Sequence, residues 1–258
     1  MTSFPDKQLV GSRFGRSLHT YRQSAVVQRE MAARLAGMVG RAGAPPHFGR
    51  VLEVGAGSAV LTSELLSRHS VGSYFANDLV PASRGFVMEA LAAGEVAEGQ
   101  FLEGDIETLD PLPGGLDLVA SNATVQWLHD LGGFFGRMAG ALEPGGLLAF
   151  STFGPGNMRE IAELEGVSLA YRTPAEIEAC AGGLFEPLLV EEAVRRLEFP
   201  SPEAVLRHIR ETGVNGISGR GWGMARHREF LRRYREAFPL GEGVGLTYHP
   251  LYCCFRRR

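Results

Sequence analysis

The chain has little cysteine and almost no lysine. Among its 258 residues, Lys7 is the only lysine, and Cys180, Cys253 and Cys254 are the only cysteines. Three cysteines at these spacings match neither a metal-ligand set nor an even disulfide framework. Adjacent Cys253-Cys254 lie in an apolar, β-rich stretch and read as packing residues. No apolar run approaches the roughly 20 residues of a membrane span. The N-terminal segment is charged and helical in character and has no apolar signal core ahead of a small-residue cleavage site. No metal and no membrane partner are expected, and the reducing cytoplasm is the expected compartment. Hydrophobic residues make up 45% and charged residues 21%, a balance that indicates a globular domain with a sizeable core.

Charge is unevenly spread. The net charge is -3, yet from Pro200 onward 11 arginines face only 5 glutamates. A basic final third on an acidic body suits an anionic partner, or forms a solvated arginine face.

Apolar positions at helical spacing (Ala25, Val26, Met31, Leu35, Met38) predict a helix within 21–40. A linker with Pro45-Pro46 spans 43–49. Strands at 51–54, 73–76, 100–102, 116–121 and 147–153 then alternate with helices at 58–68, 83–93 and 130–142. Such alternation predicts a doubly wound, mostly parallel α/β sheet. After Gly154 come helical stretches near 158–165 and 174–181, with Thr173 as N-cap, an extended stretch at 184–199, and arginine-rich helices at 203–212 and 224–238. A last strand is expected over 246–255. This divides the chain into an N-terminal helical lid (1–44), a core (45–155 and 184–258) and cap helices at about 156–182 and 202–240.

The densest chemical signal is Val51-Leu52-Glu53-Val54-Gly55-Ala56-Gly57-Ser58, a strand ending in an acid and then a glycine turn. Glycine lets backbone N–H groups approach a ligand closely, and open α/β sheets bind ligands at the carboxyl ends of their strands. A dinucleotide fingerprint needs a third glycine at position 60, where this chain has Val60. That counts against an NAD-dependent oxidoreductase. The turn, with Glu53 just before it, resembles motif I of class I S-adenosylmethionine-dependent methyltransferases.

That resemblance implies a Rossmann-like, seven-stranded sheet with a helical cap, and S-adenosylmethionine as cofactor. It implies that Glu53, Gly55, Ala56 and Gly57 pack against the methionine part. Asp78, beside Leu79, would accept the ribose hydroxyls, and Asp105 and Ile106 would hold the adenine. Ser121, Asn122 and Gln126 would lie near the sulfonium. Pro144-Gly145-Gly146 before the fifth strand is a further shared feature.

Other segments narrow the resemblance: Arg13-Phe14-Gly15-Arg16 with Tyr21 and Gln28, Ser121-Asn122-Ala123-Thr124-Val125-Gln126-Trp127, 150–156, 206–213 and Leu246-Thr247-Tyr248-His249. In this order, over about 7–255, the chain resembles the malonyl-acyl-carrier-protein O-methyltransferases of biotin synthesis. The family departs here only in Ser58-Ala59 and in Glu53, where Asp is common; the cap around 212–223 aligns loosely. The implied reaction methylates the free carboxylate of a malonyl thioester on acyl carrier protein. A carboxylate is already ionised at neutral pH, so the transfer needs placement and water exclusion rather than a general base.

Gln28, seven residues from Tyr21 and on the same helix face, is expected at the cofactor. Tyr21, Trp127, Thr152, Tyr248 and His249 are expected to wall or hydrogen-bond the acceptor. Tyr248 and His249 would point to opposite faces of a strand. Arg210 is the expected carboxylate clamp, because its planar fork suits bidentate recognition. Arg207, Arg226, Arg228, Arg232 and Arg233 are candidates for the acidic carrier protein. A small-acid or malonyl-CoA carboxyl methyltransferase is the alternative. No Asn/Asp-Pro-Pro-Tyr-type motif follows the fourth strand, so no nucleic-acid substrate is expected.

Overall fold

The structure is a computed structural model that describes residues 6, 7, 9, 11, 12, 14, 15, 18, 24–212 and 223–258. Tyr21, Arg13 and Arg16 lie outside the described residues.

A first helix, α1 (Val26–Arg41), leads into β1 (His47–Val54), α2 (Val60–Leu66), β2 (Ser70–Asp78), α3 (Ser83–Ala93), β3 (Glu98–Glu103), β4 (Leu116–Asn122), α4 (Leu131–Ala141) and β5 (Leu142–Phe153). There follow α5 (Arg159–Glu165), α6 (Pro174–Ala181), β6 (Phe185–Glu192), β7 (Arg195–Phe199), α7 (Pro202–Glu211), α8 (Met224–Ala237), β8 (Pro239–Leu240), β9 (Gly243–Tyr248) and β10 (Pro250–Arg257). Seven strands form the main sheet in the order β3-β2-β1-β4-β5-β10-β6. The first five run parallel to one another, and β10 runs antiparallel to both β5 and β6. This is the doubly wound, mostly parallel sheet expected from the alternation.

Side chains alternate across the strands and build one apolar layer on each face. Leu118 and Ala120 face the layer of Met31, Leu35 and Met38 from α1. Val119, Leu148 and Phe150 face Phe134, Phe135 and Met138 from α4. Phe135 meets the rings of Phe150, Phe185 and Phe255 at 6.0, 5.7 and 6.0 Å. Each such buried ring stabilises by roughly 1.5–3 kcal/mol relative to exposure. Cys253 and Cys254 divide between the two layers, as packing residues should. Burial pushes the Cys254 thiol up to about 12.

Three expectations about the chain course change. The 43–49 linker ends early, because β1 starts at His47 and buries Phe48. β5 takes in Pro144-Gly145-Gly146, with a shift of pairing register between Leu116 and Leu118. The expected last strand is two strands in two sheets. β9 pairs with β7 and β8 in a separate three-stranded sheet, and the chain then crosses to the main sheet as β10. The crossing falls at Pro250, a residue without an amide N–H that is tolerated at the start of a strand. The second sheet underlies the cap: Tyr234 of α8 donates from its hydroxyl to the Gly245 carbonyl at 2.8 Å.

Candidate active site

The carboxyl ends of β1 to β4 open into a cavity that Gln28 and Arg29 of α1 line together with Lys7, Gly11, Phe14 and Ala25. β1 ends by turning sharply at Gly55, φ +71°. The Gly55 and Ala56 N–H groups both donate to the Asn77 carbonyl of β2 at 2.9 Å. A Cβ on Gly55 would stand 2.2 Å from Thr124 Oγ1. Glycine is therefore needed here for its positive φ and for the close approach of the loop after β4.

Behind the turn, Glu53 is buried and accepts hydrogen bonds from Thr62 Oγ1 and the Tyr74 hydroxyl, both at 2.6 Å. Burial dominates, and pushes its carboxyl up to about 7 despite these two donors. At the end of β2, Asp78 accepts from Gly57 N on one oxygen and from Val80 N on the other, each at 2.7 Å. Burial raises its pKa as well, against the pull of those backbone donors. Each Asp78 oxygen keeps a lone pair for a ligand.

The loop after β4 locks α1 in place. Asn122 Nδ2 donates to the Gln28 carbonyl at 3.0 Å, and Ser151 Oγ donates to Asn122 Oδ1 at 2.6 Å. Gln126 Nε2 donates to the Ala123 carbonyl at 2.5 Å, and its Oε1 accepts from Thr152 Oγ1 at 3.1 Å.

Most of the expected cofactor residues line this one cavity. The turn contributes Glu53, Gly55, Ala56 and Gly57, and β2 contributes Asp78 and Leu79. Asp105 and Ile106 follow β3, Asn122 and Gln126 follow β4, and Gln28 reaches in from α1. Trp127 lines it too. Ser121 does not: it is fully buried, and its Oγ donates to the Val54 carbonyl at 2.9 Å. It ties β4 to β1.

A smaller chamber adjoins the cavity and shares Gln126, Leu128, Phe153, Leu169 and Tyr171 with it. Thr152, buried at 4% exposure, lines this second chamber. Tyr248 and His249 line neither. The Tyr248 hydroxyl is buried against His208 Nε2 at 2.8 Å. His249 Nδ1 accepts from Gly156 N at 3.1 Å and its Nε2 lies 3.2 Å from Glu192. Both are spent on holding β9 and the loop after β5. Arg210 stands exposed on α7 and lines neither chamber, which places it away from the expected clamp position.

Several lining residues gave no individual signal in the sequence. Lys7, Gly11 and Phe14 line the cavity, at helical spacings that put them on one face. A Cβ on Gly57 would lie 3.4 Å from the Phe14 ring, and one on Gly11 would lie 3.4 Å from Leu79. Lys7 Nζ donates to Asp105 at 2.6 Å and pairs with Glu107 as well. Arg29, Ser58 and Tyr171 also line the cavity. Among the described residues, Gln28 Oε1 and Ser58 Oγ are buried there without a hydrogen-bond partner, an arrangement that leaves acceptors for a bound polar ligand.

Comparison with known proteins agrees with this geometry. A family model described as a methyltransferase domain matches residues 52–150. Among solved structures, NodS, an N-methyltransferase from Bradyrhizobium japonicum in complex with S-adenosylhomocysteine, shares the fold. Its TM-score is 0.51 at 12% identity, over 92% of this chain and 98% of that one. The YcgJ protein of Bacillus subtilis gives a TM-score of 0.62 at 13% identity, over 87% and 97%. The sheet order, the glycine turn and the acids after β2 and β3 define a class I S-adenosylmethionine-dependent methyltransferase. A malonyl-[acyl-carrier protein] O-methyltransferase of Prosthecochloris aestuarii is 55% identical over 98% of this chain and 94% of its own length. Another from Chlorobium phaeovibrioides is 49% identical over 100% and 99%. The chain belongs to the malonyl-[acyl-carrier protein] O-methyltransferase family.

Proposed function

We propose that the protein methylates the free carboxylate of a malonyl group carried as a thioester on acyl carrier protein, giving the methyl ester used in pimeloyl and biotin synthesis. The observation that carries this reading is the 55% identity to a malonyl-[acyl-carrier protein] O-methyltransferase over nearly the full chain. The adjoining chambers support it, since one cavity can hold a methyl donor and the other an acceptor.

S-adenosylmethionine, when bound in the larger cavity, supplies an electrophilic methyl group. The lining fits it. Asp78 offers two acceptor oxygens to a ribose, and Asp105 with Ile106 offers an acceptor and an apolar face to an adenine. The unpartnered Gln28 Oε1 suits an ammonium donor; Asn122 lines the larger cavity, and Gln126 lies between the two chambers. Phe153 and Tyr171 exclude water from the junction, where desolvation of the acceptor carboxylate strengthens its attack. No residue has to remove a proton, because the carboxylate is ionised on arrival.

The basic cap supports an acidic partner, but only part of it is available. Arg226 pairs with Glu165, Arg232 with Glu229 and Glu236, and Arg235 with Glu203. Arg207, Arg210, Arg228 and Arg233 are exposed and have no ion pair among the described residues. They are the arginines we assign to the carrier protein, in a reaction we place in the cytoplasm. No helix among the described residues is long and apolar enough to cross a membrane.

The test is incubation with labelled S-adenosylmethionine and either malonyl-acyl carrier protein or malonyl-CoA. One added methyl on the carrier-protein thioester, in a reaction that weakens with salt, is the expected result. Unmodified carrier protein under conditions where the enzyme binds S-adenosylhomocysteine would overturn the reading. Methylation of malonyl-CoA alone would favour the free-thioester alternative.

A further inference from the structure

The acceptor needs a cation, and Arg210 lines neither chamber. The described basic side chains that do line a chamber are few. Lys7 and Arg29 line the larger cavity, and Arg172 lines the smaller one. Lys7 is held by Asp105 and Glu107 at the far end. Arg29 adjoins Gln28 in the larger cavity, which we assign to the methyl donor. Among the described basic residues, Arg172 alone lines the chamber that also holds Thr152.

Arg172 makes a weak electrostatic contact with Glu176, whose carboxyl is held below the usual range first by the Thr173 hydrogen bonds and then by Arg172. Arg172 precedes Thr173, the N-cap of α6, whose Oγ1 accepts from Glu176 N in a reciprocal capping box. A cation beside a helix N-terminus meets the positive end of the helix dipole and gains nothing from it. The nearby acid, Glu176, uses one carboxylate oxygen to accept from Thr173 N at 2.7 Å and from Thr173 Oγ1 at 2.9 Å. Among the described residues Arg172 makes no ion pair and no hydrogen bond. Its backbone is nonetheless anchored. Ile177 of α6 is buried in the core, and the preceding Tyr171 hydroxyl accepts from Asn157 Nδ2 at 2.8 Å. The chamber thus has a buried hydroxyl, Thr152, apolar walls from Phe153, Leu169 and Ile177, and one exposed guanidinium.

We propose that Arg172 binds the anionic group of the acceptor thioester in this chamber. This rests on the methyl-transfer reading above. Two anions fit the same fork: the malonyl carboxylate, and the phosphodiester of the pantetheine arm.

Arg172→Gln and Arg172→Lys test it. In enzyme saturated with S-adenosylhomocysteine, calorimetry measures the affinity for malonyl-acyl carrier protein and for malonyl-pantetheine, which has no phosphate. Steady-state rates with S-adenosylmethionine give KM and kcat. Arg172→Gln is expected to weaken acceptor binding and raise KM by roughly tenfold or more, the size of one charge-assisted hydrogen-bond pair. Affinity for S-adenosylhomocysteine stays unchanged, and Arg172→Lys recovers part of the loss. A loss with both acceptors assigns the carboxylate; a loss with the carrier-protein form alone assigns the phosphodiester. Equal acceptor affinity in wild type and Arg172→Gln overturns the proposal while leaving the functional reading standing. Failure of the wild type to methylate any malonyl thioester overturns both.

Discussion

Lys7 Nζ lies 2.6 Å from Asp105 Oδ2, so the only lysine of the chain reaches the acid that follows β3 and lines the cavity. Partial burial pushes the Asp105 and Glu107 carboxyls up, but the Lys7 hydrogen bonds and backbone donors outweigh it and hold both below the usual range. Depressed carboxyl pKa values stabilise the fold above the unfolded values and lose that effect as pH falls through the folded ones.

Lys7→Met is therefore expected to lower unfolding free energy by about 1 kcal/mol at pH 7, and by less near pH 3, where the carboxylates begin to protonate. Urea unfolding of both proteins at the two pH values measures this. An equal deficit at both would mean that Lys7 acts through packing.

Glu53 has the opposite sign. Its carboxyl is raised to about 7 by burial, so the folded chain holds a proton that the unfolded chain releases. Its contribution to stability is complete below pH 4.5 and is lost as pH rises through about 7, by up to about 3 kcal/mol. Glu53→Gln keeps an acceptor for Thr62 and Tyr74 and cannot ionise. The variant should lose this part of the pH dependence between pH 5 and 8. A difference between wild type and variant that does not change with pH would refute the assignment.

Gly55→Ala places a methyl group against Thr124 in a backbone of positive φ. The expected cost is about 1–3 kcal/mol, with loss of S-adenosylhomocysteine binding by tenfold or more. Thr124→Gly in the same chain relieves the contact but not the strained φ, so only part of the binding should return. Binding by Gly55→Ala at wild-type strength would show that the turn tolerates a side chain.

Tyr248→Phe removes a buried hydroxyl that His208 uses. Burial holds the His208 imidazole below its usual pKa, against a weaker opposing pull from Glu211, so the ring is left neutral and short of one partner. Stability should fall by about 1–3 kcal/mol, while KM for the acceptor stays unchanged. A raised KM at unaltered stability would return Tyr248 to the acceptor site.

The positions of these residues were unequally legible in the sequence. Alternating strand and helix runs predict the sheet because the central strands, β4 and the second half of β5 above all, are buried on both faces while the helices bury one. Helix α3 has the bounds its spacing predicts, and Thr173 caps α6 as expected. Glu53, Asp78, Asp105 and Asn122 were identifiable because they stand at strand ends, where neighbouring sequence fixes their location. Tyr248 and His249 were misplaced because an apolar run does not reveal that the chain changes sheets at Pro250. Lys7 and Arg172 carried no signal, since their meaning comes from residues distant in sequence or from a chamber wall. Arg210 stood out by chemistry alone, and chemistry does not say which face of a helix meets the cavity.

The place of β10 sets an order of assembly on the ribosome. It pairs with β5 on one side and with β6 on the other, although both are synthesised before it. Until residues 250–257 emerge, the growing chain has two unpaired strand edges facing a vacancy one strand wide. Such edges pair readily with other chains. A chain truncated after β9 would thus be far more prone to aggregate than one that includes β10.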